Sequence, residues 1–122
     1  MDEAKTITET EWLNKMIGTA EVPKNGLKVI LKSCGNPDHQ QYAPISDPET
    51  VFGSSIKDCV AAAMKYRDYW DMGGGNWLQP KIWFVWLDKV KDKVRKKAIA
   101  EISYNGRVWI PNKKWDDRTE IV

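Results

Sequence analysis

The sequence predicts an α+β fold, with one long central helix packed on a small, mainly antiparallel sheet that ends in a C-terminal β-meander. Two observations support this prediction. Residues 54–72 keep helical spacing without a proline, and residues 81–110 contain aromatic and β-branched runs around one tight-turn dipeptide. The chain has 122 residues, of which 42% are hydrophobic and 30% charged. These values are typical of a single globular domain, here residues 1–122.

The N-terminal part predicts a short helix followed by a strand. In residues 8–17, TETEWLNKMI, Thr8 or Thr10 is placed to act as the N-cap, and Gly18 is expected to end the helix. Residues 26–34 then alternate apolar and lysine side chains, which predicts a strand. Lysines are common on edge strands, so we expect this strand at an edge of the sheet.

A long loop precedes the main helix. Residues 35–50 hold three of the six prolines and several turn formers, which predicts an ordered or half-ordered loop. Ser54 or Ser55 is expected to cap the following helix, and Gly73 is expected to end it.

The C-terminal part predicts the meander. Residues 81–89 are apolar on both faces, as in a central strand, and residues 90–97 form a charged connection. Asn105-Gly106 is the dipeptide most typical of a two-residue type I′ hairpin. The polar tail after Pro111 is expected to lie over a neighbouring element or to fray.

Composition and spacing argue against several classes of protein. No apolar run approaches the roughly 20 residues of a membrane-spanning helix. The acidic N-terminus lacks the pattern of a signal peptide, so we expect a cytoplasmic protein. Cys34 and Cys59 form no CxxC pair, and His39 is the single histidine. We therefore expect no metal site, no cofactor and no catalytic nucleophile with its base.

Tryptophan is the unusual component. Seven tryptophans exceed what one small core needs, and an indole pairs a large apolar ring with an N–H group that requires an acceptor. We therefore expect some of them to face a ligand or another subunit. The seven are Trp12, Trp70, Trp77, Trp83, Trp86, Trp109 and Trp115.

Residues 73–77, GGGNW, allow two interpretations. Glycine after the last helical turn adopts a left-handed conformation at little cost, so the run is explained as a helix stop. One glycine would suffice for that. Gly74 and Gly75 would also let the backbone approach a ligand, with Asn76 and Trp77 beside it. The run matches neither a dinucleotide nor a P-loop fingerprint.

Residues 102–109, ISYNGRVW, place an arginine among aromatic and amide side chains. Arg107 can reach a phosphate or stack on a base, with Tyr104, Asn105 and Trp109 around it. The alternative is a solvated charge at the end of a strand. Residues 89–97 form a basic cluster that suits either nucleic acid or a solvated connection, and we favour the connection.

The two segments GGGNW and ISYNGRVW together resemble small proteins of bacteriophages and prophages, and among these the first Thoeris anti-defence family. Members of that family capture cyclic ADP-ribose isomers made by TIR-domain defence enzymes and do not degrade them. The resemblance covers mainly residues 55–110 and implies a homo-oligomer with pockets at subunit contacts. The resemblance implies ligand-binding roles for Asn76, Trp77, Asn105 and Arg107, and for Lys28 of the early strand. A lysine, unlike an arginine, cannot make a bidentate contact.

The expected function is therefore sequestration of a nucleotide-like signal, without catalysis. Arg107 and Lys28 would neutralise phosphate, and Trp77 or Trp109 would stack on the base. Two alternatives remain. The protein is a protein-binding inhibitor or structural phage protein with a tryptophan-rich interface, or it binds nucleic acid weakly through residues 89–97.

Overall fold

The computed structural model describes residues 5–85, 97–111 and 117–122, and these form one mixed sheet with two helices. This confirms the α+β fold class, although the main helix has only 14 residues. The helices are α1 (Glu9–Ile17) and α2 (Ile56–Tyr69). The strands are β1 (Lys5–Ile7), β2 (Leu27–Leu31), β3 (Glu49–Gly53), β4 (Lys81–Phe84), β5 (Ala100–Ile102), β6 (Val108–Trp109) and β7 (Thr119–Ile121).

Helix α1 begins and ends where the sequence predicts. The Thr8 hydroxyl accepts a hydrogen bond from the Glu11 N–H at 3.1 Å, and the Glu11 carboxylate accepts one from the Thr8 N–H at 3.2 Å. This reciprocal capping box satisfies two N–H groups that a helix start leaves unpaired. Gly18 ends the helix in the left-handed conformation, with φ 77°.

Helix α2 is capped by Ser55, whose side chain accepts from the Asp58 N–H. The prediction that Gly73 ends this helix is wrong. The helix ends at Tyr69, and Asp71 takes the left-handed conformation with φ 50°. The Met72 N–H then donates a hydrogen bond to the Arg67 carbonyl at 3.0 Å. Asp tolerates this conformation better than most residues, so the chain has already left the helix before the glycines begin.

The strand order is β1-β7-β6-β5-β4-β2-β3, and every neighbouring pair is antiparallel except β1 and β7. The edge position predicted for β2 is wrong, because β2 lies between β3 and β4. The edge strand on this side of the sheet is β3, whose first residues the sequence assigned to the loop. β4 is central, as predicted, and residues 86–89 of that predicted strand lie outside the described residues.

One face of the sheet forms the hydrophobic core under α1 and α2. Along β2, Leu27, Val29 and Leu31 are buried, whereas Ile30 on the other face is exposed. The core residues are Leu13, Leu27, Val29, Leu31, Ile56, Cys59, Ala63, Tyr66, Met72, Ile82, Phe84, Ile99, Ala100, Ile102, Val108 and Ile121. Burial raises the pKa of the Cys59 thiol to about 12, so this cysteine stays a neutral core side chain.

The loop between β2 and β3 is held by a chain of hydroxyl groups. The Tyr66 hydroxyl lies 2.6 Å from the Ser46 hydroxyl, which lies 2.6 Å from the Ser33 hydroxyl. The Ser33 hydroxyl also accepts from the Ile45 N–H at 3.0 Å. These contacts anchor the predicted loop to α2 and to the sheet.

Strands β4 to β6 form the predicted meander, and β5 and β6 form the predicted hairpin. The predicted two-residue turn is wrong. Asn105 does not have a positive φ, and only Gly106 is left-handed, with φ 84°. The Ser103 N–H donates to the Arg107 carbonyl at 2.9 Å, which closes a three-residue loop. A left-handed third residue is usual in such loops.

The chain end also differs from prediction. Residues 119–121 do not lie over a neighbouring element or fray; they form β7 between β1 and β6. Residues 112–116 of the predicted tail lie outside the described residues, as do residues 90–96 of the charged connection. In the part of the chain that is described, no helix is long and apolar enough to cross a membrane.

Candidate functional site

The hairpin loop and the glycine turn line one cavity of about 570 Å³. This volume lies within the roughly 300 to 1,000 Å³ typical of ligand pockets. We call this cavity the hairpin pocket. Its lining residues are Gly74, Trp77, Gln79, Ser103, Tyr104, Asn105, Arg107, Trp109 and Arg118. Six of the nine predicted ligand-binding residues therefore meet here, and Gly75, Asn76 and Lys28 do not line it.

Two guanidinium groups lie against the indole of Trp109. The Cζ atom of Arg118 is 3.9 Å from the ring centroid, and that of Arg107 is 4.8 Å from it. Both distances are within the range of cation–π attraction. Trp109 lies on β6, and the alternation of the strands places Arg107, Trp109, Arg118 and Glu120 on one face of the sheet.

Arg107 is held in place by an ion pair with Glu120. Its Nε and Nη2 atoms donate to the two carboxylate oxygens of Glu120, at 3.0 and 2.7 Å. These hydrogen bonds lower the pKa of Glu120, whose side chain is 16% exposed, so it is ionised at neutral pH. The Nη1 group makes no hydrogen bond to any described residue, which leaves donors directed away from Glu120.

The aromatic wall of the pocket is held by internal hydrogen bonds. The Trp77 indole donates to the Ile102 carbonyl at 2.9 Å, and the Tyr104 hydroxyl donates to the Met72 carbonyl at 2.8 Å. The two rings pack edge to face, with centroids 6.1 Å apart. On the other side of Tyr104, the Arg67 guanidinium lies 5.2 Å from the ring. The wall is therefore in place before any ligand binds.

The loop amide of Asn105 shapes the hairpin. Its side-chain oxygen accepts hydrogen bonds from the Ser103 hydroxyl and the Arg107 N–H. Asn105 itself is exposed at the pocket rim. The amide NH₂ group makes no hydrogen bond within the described part of the chain, so it remains available as a donor.

Asn76 holds the glycine turn in place and does not line the hairpin pocket. Its side chain is buried, accepts from the Gly73 N–H at 3.1 Å, and donates to the Cys34 carbonyl and the Gln41 side chain, both at 2.9 Å. The amide is therefore fully engaged in joining the glycine turn to the loop after β2. Burial leaves it no surface for a ligand.

Gly75 is explained by the same loop. A Cβ atom on Gly75 would lie 2.3 Å from the side-chain nitrogen of Asn36, whereas a Cβ on Gly74 would meet nothing within 4 Å. Gly75 thus permits a close approach between two loops. Gly74 alone of these two lines the pocket.

Lys28 belongs to another part of the surface. It lies on β2, in register with Phe52 of β3 and Trp83 of β4, and these residues do not line the hairpin pocket. Within one chain Lys28 therefore does not meet Arg107 in the hairpin pocket, and its ligand-binding role stays a prediction. The long-range order of strands separates them.

Sequence reasoning missed Gln79, Ser103 and Arg118 among the lining residues. Arg118 carried a usable signal, because Arg118 and Glu120 alternate with Thr119 and Ile121 as in a strand. The polar residues around this short alternation favoured the interpretation of the segment as a tail and not as a strand. Gln79 gave none, since its left-handed backbone, with φ 47°, is set by the fold.

Comparisons with known proteins add no relative. No protein-family model matches the chain, and no curated protein or solved structure matches it. Among the described residues, no three His, Cys, Asp or Glu side chains are grouped in a way that could hold a metal ion. Functional inference therefore depends on the pocket itself.

Proposed function

We propose that this protein binds a nucleotide-like ligand in the hairpin pocket and sequesters it without chemical change. One observation carries the proposal. The rings of Trp77, Tyr104 and Trp109 and the guanidinium groups of Arg107 and Arg118 line a single cavity. Aromatic faces bind bases by stacking, and guanidinium groups bind phosphates through paired N–H donors.

Arg107 and Arg118 are the residues assigned to phosphate. Glu120 uses the Nε and Nη2 side of Arg107, and the Nη1 group is left for the ligand. Glu120 thus orients the guanidinium of Arg107 toward the pocket.

Binding without turnover fits the polar groups of the pocket. The Ser103 hydroxyl is hydrogen-bonded to the Asn105 side chain and to the Arg107 carbonyl. No histidine, cysteine or carboxylate side chain is among the described lining residues to activate it. The pocket offers recognition groups rather than a nucleophile paired with a base.

The resemblance of the two sequence segments supports a more specific form of the proposal. In that form the protein is a phage anti-defence protein, acts in the cytoplasm of the host bacterium, and captures a cyclic ADP-ribose isomer as a homo-oligomer. Trp77 or Trp109 would stack on adenine, and the two arginines would bind the pyrophosphate.

Native mass spectrometry tests the proposal. The purified protein is measured before and after mixing with cyclic ADP-ribose isomers and cyclic dinucleotides, and the ligand is recovered afterwards by heat release. We expect one compound to be retained and released with unchanged mass. A protein that stays empty across the panel, or that releases a hydrolysed product, would contradict the proposal.

Variants locate the site. Replacing Arg107 by Ala should weaken binding about 10- to 150-fold, because each charge-assisted hydrogen bond contributes about 1.5 to 3 kcal/mol. Arg118→Ala should act similarly. Lys57→Ala removes an exposed charge on α2, away from the pocket, and is the matched control. Equal weakening by all three variants would point to general electrostatic attraction and away from this pocket.

A further inference from the structure

The sheet has a second exposed surface, formed by the outer faces of β2, β3 and β4. The inner residues of β2 are buried in the core, whereas Lys28 and Ile30 alternate with them and face outward. We call this surface the lysine face. It comprises Lys28, Ile30, Lys32, Phe52, Lys81 and Trp83.

Aromatic and cationic side chains alternate across this face in one row. Lys28 is the register partner of Phe52 on one side and of Trp83 on the other. Neighbouring strands lie about 4.8 Å apart, so the two aromatic residues are on the order of 10 Å apart with a lysine between them. Phe52 is 52% exposed, which is unusual for a phenylalanine without a partner.

A shallow cavity of about 360 Å³ continues the face beside Trp83. It is lined by Ile30, Lys32, Leu78, Gln79, Pro80, Lys81 and Trp83. Leu78 and Ile30 are 43% and 39% exposed. The row of Phe52, Lys28 and Trp83 therefore continues into a cavity that is lined by apolar side chains and by two further lysines.

The charge of the face is positive. Within the described part of the chain, Lys28, Lys32 and Lys81 form no ion pair with a carboxylate. Glu101 is the register partner of Lys81, but the two side chains are not joined by a salt bridge. Among the described residues, three lysines without a carboxylate partner thus lie beside the exposed ring of Phe52 and the half-buried ring of Trp83, and such a surface attracts an anion that also carries planar groups.

We propose that the lysine face binds single-stranded nucleic acid, with bases stacked on Phe52 and Trp83 and phosphates at Lys28, Lys32 and Lys81. A single strand alternates planar bases with phosphates, which matches the alternation of rings and lysines along the row. A duplex keeps its bases stacked inside, and an acidic peptide supplies charge without planar groups for both rings. This site adjoins the hairpin pocket, because Gln79 lines both cavities, but its lysines and rings do not line that pocket, and the inference does not depend on the function proposed there.

Fluorescence anisotropy with a labelled oligothymidylate of about 12 nucleotides tests the inference. Affinity is measured from roughly 50 to 200 mM salt, because each neutralised phosphate of a single strand contributes a slope of about −0.7 in log affinity against log salt. Three lysine contacts predict a slope of about −2. A duplex of the same sequence should bind more weakly at every salt concentration.

Two variants separate stacking from charge. Phe52→Ala should weaken binding of the single strand about 5- to 150-fold at constant salt slope, because it removes one base-stacking surface. Lys28→Ala combined with Lys32→Ala should reduce the magnitude of the slope by about 1.4. Lys57→Ala is the matched control on the opposite side of the sheet, and circular dichroism checks that each variant is folded.

The outcomes are distinct. Loss of binding in the lysine and phenylalanine variants, with retention in Lys57→Ala and Arg107→Ala, supports the lysine face. Equal binding of polyglutamate, together with no effect of Phe52→Ala, assigns the face to an acidic protein and overturns the inference. Absence of oligothymidylate binding at the lowest salt also overturns it. None of these results depends on whether the hairpin pocket holds a nucleotide.

Discussion

The glycine turn at residues 73–77 and the hairpin loop at residues 103–107 look equally unusual in the sequence, but they play different parts in the structure. In the glycine turn, the Asn76 amide is buried and engaged by its own chain. In the hairpin loop, the side chains of Asn105 and Arg107 reach the pocket. The glycine turn therefore combines a buried structural amide with Gly74 and Trp77, which line the pocket, and hydrogen-bond partners distinguish the two roles.

The largest expected effect separates the two asparagines. Asn76→Ala should lower the free energy of unfolding by about 2 to 3 kcal/mol, because it removes a buried amide and leaves the partly buried Gly73 N–H and Cys34 carbonyl without their partner. Asn105→Ala, in an exposed loop, should cost about 1 kcal/mol or less. Urea denaturation measures both. Equal losses would mean that the hairpin amide is as structural as the turn amide.

The next effect separates two neighbouring glycines. Gly75→Ala should cost about 1 to 3 kcal/mol, because the added Cβ would overlap the Asn36 side chain and force the two loops apart. Gly74→Ala meets nothing and should stay within about 0.5 kcal/mol of the wild type. Thermal unfolding of the two variants under one condition is the measurement. A neutral Gly75→Ala would show that Asn36 moves aside freely.

A smaller effect concerns the ion pair of the hairpin. Arg107 lowers the pKa of Glu120, so the pair stabilises the fold above the pKa that Glu120 has in the unfolded chain. This contribution is lost as pH falls through the lower pKa of the folded state. Because the Arg107 side chain is 49% exposed, solvent screens the pair, and we expect only a small contribution to stability.

Glu120→Gln should therefore flatten the acid side of the stability profile slightly. The melting temperature of the variant and of the wild type, measured from neutral to acidic pH, should differ at neutral pH and converge in acid. A difference that grows toward acid would have the wrong sign for a depressed carboxylate pKa.

The smallest expected effect tests the end of helix α2. Gly73 has an ordinary backbone conformation with φ −88°, and a Cβ there would lie 3.7 Å from the Asn76 side-chain oxygen. Gly73→Ala should therefore change stability by less than about 0.5 kcal/mol. If Gly73 were the helix stop, the same change would cost clearly more, since alanine resists the left-handed conformation. Guanidinium denaturation resolves the two cases.

Local patterns predicted the helices and the position of the hairpin well. The Thr8 and Ser55 caps, the ends of α1 and the meander from β4 depend on residues only a few positions apart. The same patterns misjudged the turn type, because Asn105-Gly106 is compatible with more than one loop. The Asn105 side chain accepts from Ser103 and Arg107, and these contacts support the three-residue form.

The candidate site was predicted only in part. Arg107, Tyr104 and Trp109 were found because they are close in sequence, and Trp77 because it follows the glycines. Arg118 was missed, and Asn76 was expected at the ligand but is buried outside the pocket lining. Burial and hydrogen-bond partners decide whether a polar residue serves the fold or a ligand, and a single sequence states neither.

The sequence by itself determined the fold class, the helix caps, the hairpin and the alternation that buries one face of each strand. Only the tertiary structure decided the central position of β2, the pairing of β7 with β1 and the contact between Arg107 and Glu120. The physical reason is the separation along the chain of the residues that interact. Helix and turn signals act over a few residues, whereas an ion pair such as Lys5 with Asp117 joins positions 112 residues apart. Such contacts form only when the whole sheet assembles.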